Sequence, residues 1–265
     1  MNGVRRFLLA LQFFTRIPVT GPLAAWVGFS PSMLRASAAH FPGVGWLVGG
    51  VGAAVFVTAQ AGLPGIAGAL AAAVLSTAAT VWLTGAFHED GLADVADGLG
   101  GAADRARALE IMKDSRIGAF GAIALVLALG LKIMLLAVLA RQGAAALAVA
   151  LVAAHVLSRL APLFLIRWLP YVGDQSGASK AKPLADAIGG TALAVGIAWS
   201  VPAALLVLWV HGVWQGSAAL LLGAFGACCV ARLLQRRLQG FTGDGLGATQ
   251  QVCELAIYLA LAWRA

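Results

Sequence analysis

Seven stretches of this chain are each long and apolar enough to cross a bilayer, and that property removes most of the folds open to 265 residues. They lie at about 41–61, 65–87, 118–140, 144–166, 190–210, 216–232 and 247–263, against the roughly 20 apolar residues a spanning helix needs. A backbone inside hydrocarbon must satisfy its own N–H and C=O groups, so such segments fold as helices. The expectation is an all-α, polytopic integral membrane protein of about seven transmembrane helices, a single domain over residues 1–265. Residues 1–40, with Pro18, Pro22 and Pro31, form an entry region whose first part suits an interfacial helix. The run of Gly43, Gly45, Gly49, Gly50 and Gly52 reads as close helix packing and not as a nucleotide loop.

Charged residues are only 11% of the chain, and their positions test this division. Placing the N-terminus and the polar stretches 88–117, 167–189 and 233–246 on one side gathers fourteen of the eighteen basic residues there, Lys180 and Lys182 among them. Arg141 and Arg264 fall opposite, while Lys132 and Arg159 lie within spans. The positive-inside rule makes the crowded side cytoplasmic; seven spans then leave the C-terminus outside. The formal net charge of +7 thus serves topology, and no nucleic-acid partner is expected. Arg5-Arg6 followed by Phe7 to Phe14 superficially suggests a signal peptide, but the apolar run is short, Arg16 and Pro18 follow, and no small-x-small cleavage site is apparent. Cys228, Cys229 and Cys253 form no C-x-x-C pair and sit in apolar segments, which suits small buried side chains.

Against this background the acids stand out. Seven of the eleven fall between Glu89 and Asp114, and four of them, Glu89, Asp90, Asp94 and Asp97, within nine residues. Asp90, Asp94 and Asp97 are spaced i, i+4, i+7, so on a helix they lie within roughly 60° of one another. Three carboxylates on one stripe repel unless a cation neutralises them, and oxygen ligands without His or Cys partners suit Mg²⁺ or Mn²⁺. That helix continues from the second span, or unwinds by a turn at Gly91 and Gly98. The competing reading is a solvated acidic loop. His88 beside the stripe is a ligand or simply polar.

Two further pieces carry chemistry. In Glu110 to Gly118, Asp114 completes a metal site while Lys113 and Arg116 face phosphate oxygens, or the segment is a topology anchor with Asp114 paired to a neighbour. In Thr242-Gly243-Asp244-Gly245, a Gly-rich turn opens a helix whose N–H groups can meet an anion; Asp244 holds metal or a sugar hydroxyl, or merely caps the helix. His155 and Arg159, one turn apart, and Glu254 lie inside apolar segments, where charges face a partner or a cavity.

Phe14-Thr15-Arg16-Ile17-Pro18, Phe41-Pro42-Gly43-Val44-Gly45, His88 to Asp94, Glu110 to Gly118 and Thr242 to Ala248 occur in that order, and together they resemble the cobalamin synthase family, the adenosylcobinamide-GDP ribazoletransferases. The likeness runs from about residue 7 to the last span. It implies an enzyme of the bacterial inner membrane, with catalytic loops facing the cytoplasm. Such an enzyme joins adenosylcobinamide-GDP to α-ribazole or α-ribazole 5′-phosphate and releases GMP, with Mg²⁺ as cofactor. On this resemblance Asp90, Asp94, Asp97 and Asp114 hold metal, in a number of ions left open. Asp97 doubles as the base, Asp94 joins it in catalysis, Lys113 and Arg116 bind phosphate, and Asp244 lies near the nucleotide or ribazole within reach of a catalytic segment of 88–117. The lipid bilayer is the one further partner; self-association is not readable.

Two other classes compete. The stripe is similar to that of CDP-alcohol phosphotransferases, but Ala93 is followed by Asp94 where those enzymes carry Ala-Arg after Asp-Gly. A transporter, with Lys132, His155, Arg159 and Glu254 lining a path, would place its site near the midplane in repeated broken helices; no internal repeat is seen, and the acids cluster at the membrane surface.

Overall fold

The computed structural model describes residues 2–173 and 188–263. Lys180, Lys182 and Arg264, which enter the charge-bias argument, lie outside the described residues. The elements of the described residues are helical: α1 (Asn2–Phe14), α2 (Gly21–Val27), α3 (Pro31–Ser37), α4 (Phe41–Gly62), α5 (Gly65–Thr84), α6 (Phe87–Gly101), α7 (Arg105–Ile111), α8 (Ala119–Leu139), α9 (Ala144–Ser158), α10 (Ala161–Trp168), α11 (Gly190–Val210), α12 (Val213–Arg237) and α13 (Gly243–Ala262). Among the described residues, six helical segments are long and apolar enough to span a membrane: Pro31–Gly62, Gly65–Thr84, Ala119–Gln142, Ala144–Trp168, Gly190–Val210 and Val213–Arg237.

These spans present apolar side chains outward. Ile123, Val126 and Leu127 on α8, Leu205 and Trp209 on α11, and Leu221 and Phe225 on α12 are all exposed. So much apolar surface would be a liability in water; against lipid tails it is the ordinary state. Inside, small residues let backbones touch. On α4 a Cβ added at Gly45 would stand 2.5 Å from the carbonyl oxygen of His155 on α9 and 2.7 Å from Cα of Val156, so only glycine permits this crossing.

The seventh expected segment also forms a helix, α13, but it does not reach the apolarity of the six. It carries Thr249, Gln250, Gln251 and Glu254, all buried, and packs against α6, α8, α9, α10 and α12. Enclosed by protein, its side chains need partners more than they need to be apolar.

The sequence also allows the acidic helix to run on from the second span or to unwind at its glycines, and the structure corrects both. α5 stops at Thr84, and Gly85 and Ala86 both take left-handed conformations, with φ of 67° and 59°. The Ala86 N–H bonds back to the Val81 carbonyl at 2.9 Å, the wrapped ending that glycine favours after a helix. α6 then starts afresh and continues unbroken through Gly91 and Gly98. Its last carbonyls are met by Arg237 of α12, whose Nη2 donates to Ala102 O at 2.6 Å and Leu99 O at 3.2 Å. Arg105 Nε likewise donates to Leu238 O at 2.7 Å. Two cations counted as topology signals thus also cap helix ends.

Candidate active site

The stripe lies on one helix, as its spacing requires, but its three members meet different surroundings. Asp90 is exposed, Asp94 half-buried and Asp97 buried. Asp97 is 8% exposed and is fully engaged. Its Oδ2 accepts the Gly118 N–H at 2.7 Å and its Oδ1 the Gly121 N–H at 2.8 Å, so it closes the otherwise unpaired first turn of α8 from a neighbouring helix. This tether also fixes the 113–118 connection beside the stripe. Asp97→Ala is expected to lower stability by about 1–2 kcal/mol, as loss of a cap does, read as a lower Tm of the purified protein. Asp90→Ala removes no such bond and should not lower Tm. An unchanged Tm for Asp97→Ala would show that the cap contributes nothing.

Asp244 arrives from the other side. Thr242 is the cap of α13, its Oγ1 accepting the Gly245 N–H at 3.0 Å, which leaves the Asp244 carboxylate in the first turn without that duty. α6 and α13 touch here: a Cβ at Gly91 would stand 2.7 Å from Asp244 O, and one at Gly247 would stand 3.3 Å from His88 O. The approach has electrostatic consequences. Asp94 is pushed up to about 7, first by burial and then by the charges of Asp244, Asp90 and Asp97. Asp244 is pushed up to about 6 by burial and then by Asp90. Carboxylates rise this way when they share a site with their own kind.

Among the described residues, none of Asp90, Asp94 and Asp244 makes a side-chain hydrogen bond or ion pair. Nor do any three His, Cys, Asp or Glu there stand ready as a metal-holding group. An all-oxygen set of unpartnered, mutually repelling carboxylates nevertheless has the donor chemistry of a hard divalent cation, and such an ion would draw them together.

The remaining expected residues stand apart. Asp114 is held by Arg116, with Nη2 on Oδ2 at 2.6 Å and Nε on Oδ1 at 3.0 Å. These bonds hold its carboxyl down to about 2. Asp114 is thus engaged by a near neighbour, as the pairing alternative has it, and is not among the charges that raise Asp94. Lys113 is exposed just beyond α7. His88 is 4% exposed and stacks on Phe14, with ring centroids 5.5 Å apart, so it belongs to an aromatic core and not to the acids. Burial and nearby cations hold its pKa well below the usual range, which keeps it neutral.

Sequence reasoning counted Glu89 with the acids but did not foresee its burial or its bond across α6 and α13, where its Oε1 accepts from Gln251 Nε2 at 3.0 Å. Burial raises its pKa. The signal available was Gln250-Gln251 in the middle of an otherwise apolar segment.

Residues 6–262 match the family Cobalamin-5-phosphate synthase. The chain is 58% identical to the adenosylcobinamide-GDP ribazoletransferase of Albidiferax ferrireducens, over 98% of each chain. It is 54% identical to that of Polaromonas naphthalenivorans, over 99% of each. With the protein of the same name from Leptothrix cholodnii it shares 50% identity, over 98% of this chain and 95% of that one. No solved structure matches.

Proposed function

The chain belongs to the cobalamin-5-phosphate synthase family and is an adenosylcobinamide-GDP ribazoletransferase, and on that premise we propose that Asp90, Asp94 and Asp244 form its catalytic centre. The observation that carries this reading is the convergence of three unpartnered carboxylates from two helices, strong enough to raise two of them toward neutrality.

In the proposed reaction a ribose hydroxyl of α-ribazole, or of its 5′-phosphate, forms a bond to the cobinamide-linked phosphorus. The bond from that phosphorus to the GMP oxygen breaks. Asp94 accepts the hydroxyl proton, its raised pKa matching the near-neutral value a general base needs. This moves the base from Asp97, whose two oxygens are already occupied by backbone donors. Asp90, Asp94 and Asp244 would hold Mg²⁺, which supplies neutralisation of the diphosphate charge. Lys113 and Arg116 meet phosphate oxygens, Arg116 exchanging the Asp114 carboxylate for a ligand of the same planar geometry. Asp97 keeps the loop that bears them against the stripe. The bulk of the basic residues supports a centre on the cytoplasmic face of the inner membrane.

The test is GMP release by purified protein given adenosylcobinamide-GDP, α-ribazole and Mg²⁺, omitting each in turn. Release should require all three and yield a cobamide. Because Mg²⁺ competes with the proton for Asp94, the acid limb of its pH profile should lie below the metal-free value of about 7 and move lower as Mg²⁺ is raised. Release without metal, or an acid limb that does not move with Mg²⁺, would remove the carboxylates from the proposed roles.

A further inference from the structure

Beneath the acidic centre lies a buried polar cluster that the proposed chemistry does not use. Lys132 of α8 places Nζ 2.6 Å from Glu254 Oε1 of α13, with the two side chains 3% and 1% exposed. Gln250 Nε2 donates to Glu254 Oε2 at 2.6 Å and to Ser158 Oγ at 2.9 Å. The Cys253 thiol donates to Gly223 O of α12 at 2.9 Å. With the bond from Gln251 to Glu89 at 3.0 Å, one turn of α13 is tied to α6, α8, α9 and α12.

We propose that these bonds are a positioning device for the acidic centre: Lys132–Glu254 and Glu89–Gln251 set the rotation and depth of α13, and so the place of Asp244 opposite Asp90 and Asp94. Apolar helix surfaces against lipid-like neighbours gain little from one register over another. An ion pair in such a core adds little net stability compared with apolar residues of the same size; its best-attested use is to specify register. Asp244 lies ten residues before Glu254 on the same helix, about 15 Å along the axis, so a slip of one residue at Glu254 carries Asp244 round by about 100°. Gln251 grips the residue directly preceding Asp90, which ties both halves of the centre to one joint.

This inference rests on the assignment of the centre to Asp90, Asp94 and Asp244, and the experiment separates the two. The full chain is purified as wild type, Lys132→Met, the double variant Lys132→Met/Glu254→Leu, and Gln251→Leu. Tm, the kcat and KM of GMP release per folded molecule, and binding of Mn²⁺ alone by electron paramagnetic resonance are measured on each. Lys132→Met leaves Glu254 to Gln250 and His155, and the double variant takes the acid away from His155 and the buried Arg159, so both should melt below wild type and turnover is compared per folded molecule. Positioning requires kcat of the double variant to fall roughly tenfold or more, the scale of a misplaced catalytic group. KM for adenosylcobinamide-GDP should change little and Mn²⁺ affinity should weaken. A double variant with wild-type kcat and Mn²⁺ affinity per folded molecule overturns the proposal. Should it fail to fold, Gln251→Leu decides between the same two outcomes: lowered kcat and weaker Mn²⁺ binding support positioning, and wild-type values overturn it. Wild type that binds Mn²⁺ and releases no GMP defeats the catalytic assignment alone, and the positioning role is then decided on Mn²⁺ affinity.

Discussion

Asp94→Asn is expected to reduce GMP release by roughly two to four orders of magnitude, the range for loss of a general base or a charge-stabilising group, while raising the Tm of the metal-free protein. The two effects share a cause. Asp94 is half-buried among Asp90, Asp97 and Asp244, and asparagine keeps its shape without the charge. Its folded-state pKa of about 7 lies above that of a free aspartate, so the folded protein binds the proton more tightly than the unfolded chain. The resulting penalty is absent below about pH 4 and grows as pH rises toward 7. The gain in Tm should therefore appear at pH 8 in chelator, shrink in acid, and shrink again when Mg²⁺ is added to the wild type. Calorimetry at two pH values reads it. Equal Tm for the two proteins under all conditions would mean that the acids do not repel as described, and undiminished turnover would remove Asp94 from the mechanism.

Gly91→Ala should be nearly as damaging, for a geometric reason. Inside a helix, alanine is preferred over glycine by about 1 kcal/mol, so local propensity favours the change. The added Cβ, however, would stand 2.7 Å from the Asp244 carbonyl oxygen and 3.0 Å from its Cα, and these are backbone atoms with no rotamer to yield. α6 and α13 must separate at the point where their carboxylates meet, and a shift of about 1 Å there is enough for a loss near a hundredfold. Gly50→Ala on α4, where nothing lies within 4 Å of the added carbon, is the control and should retain turnover. If both variants behave alike, the close crossing of α6 and α13 is not what assembles the centre.

Much of this architecture is legible from residue order. The apolar runs mark the spanning helices, and the i, i+4, i+7 acids mark one face of α6, because both depend on periodicity within a single segment. Asp244 is legible as a polar residue opening the last helix. Other features depend on distant backbone. Asp97 looks like its stripe neighbours until α8 brings the Gly118 and Gly121 N–H groups to it, across 21 and 24 residues. The end of α5 is hidden in the sequence because Ala86 takes a positive φ that alanine rarely adopts, an outcome set by packing. Composition groups Asp114 with the stripe, although its partner Arg116 stands only two residues away. The last segment reads as one more span because its apolar majority outweighs Gln250, Gln251 and Glu254, whose partners lie on other helices.

The enclosure of α13 bears on how the molecule is made. A segment bearing two glutamines and a glutamate at its middle partitions poorly into lipid by itself, so it is not expected to leave the insertion machinery unaided. The six apolar helices precede it in the chain and are synthesised first, leaving a slot lined by Lys132, Ser158 and Glu89. Until α13 enters, Lys132 lacks its Glu254 partner, so a chain halted at that stage differs from the finished enzyme by a cation held within the membrane without its nearest anion.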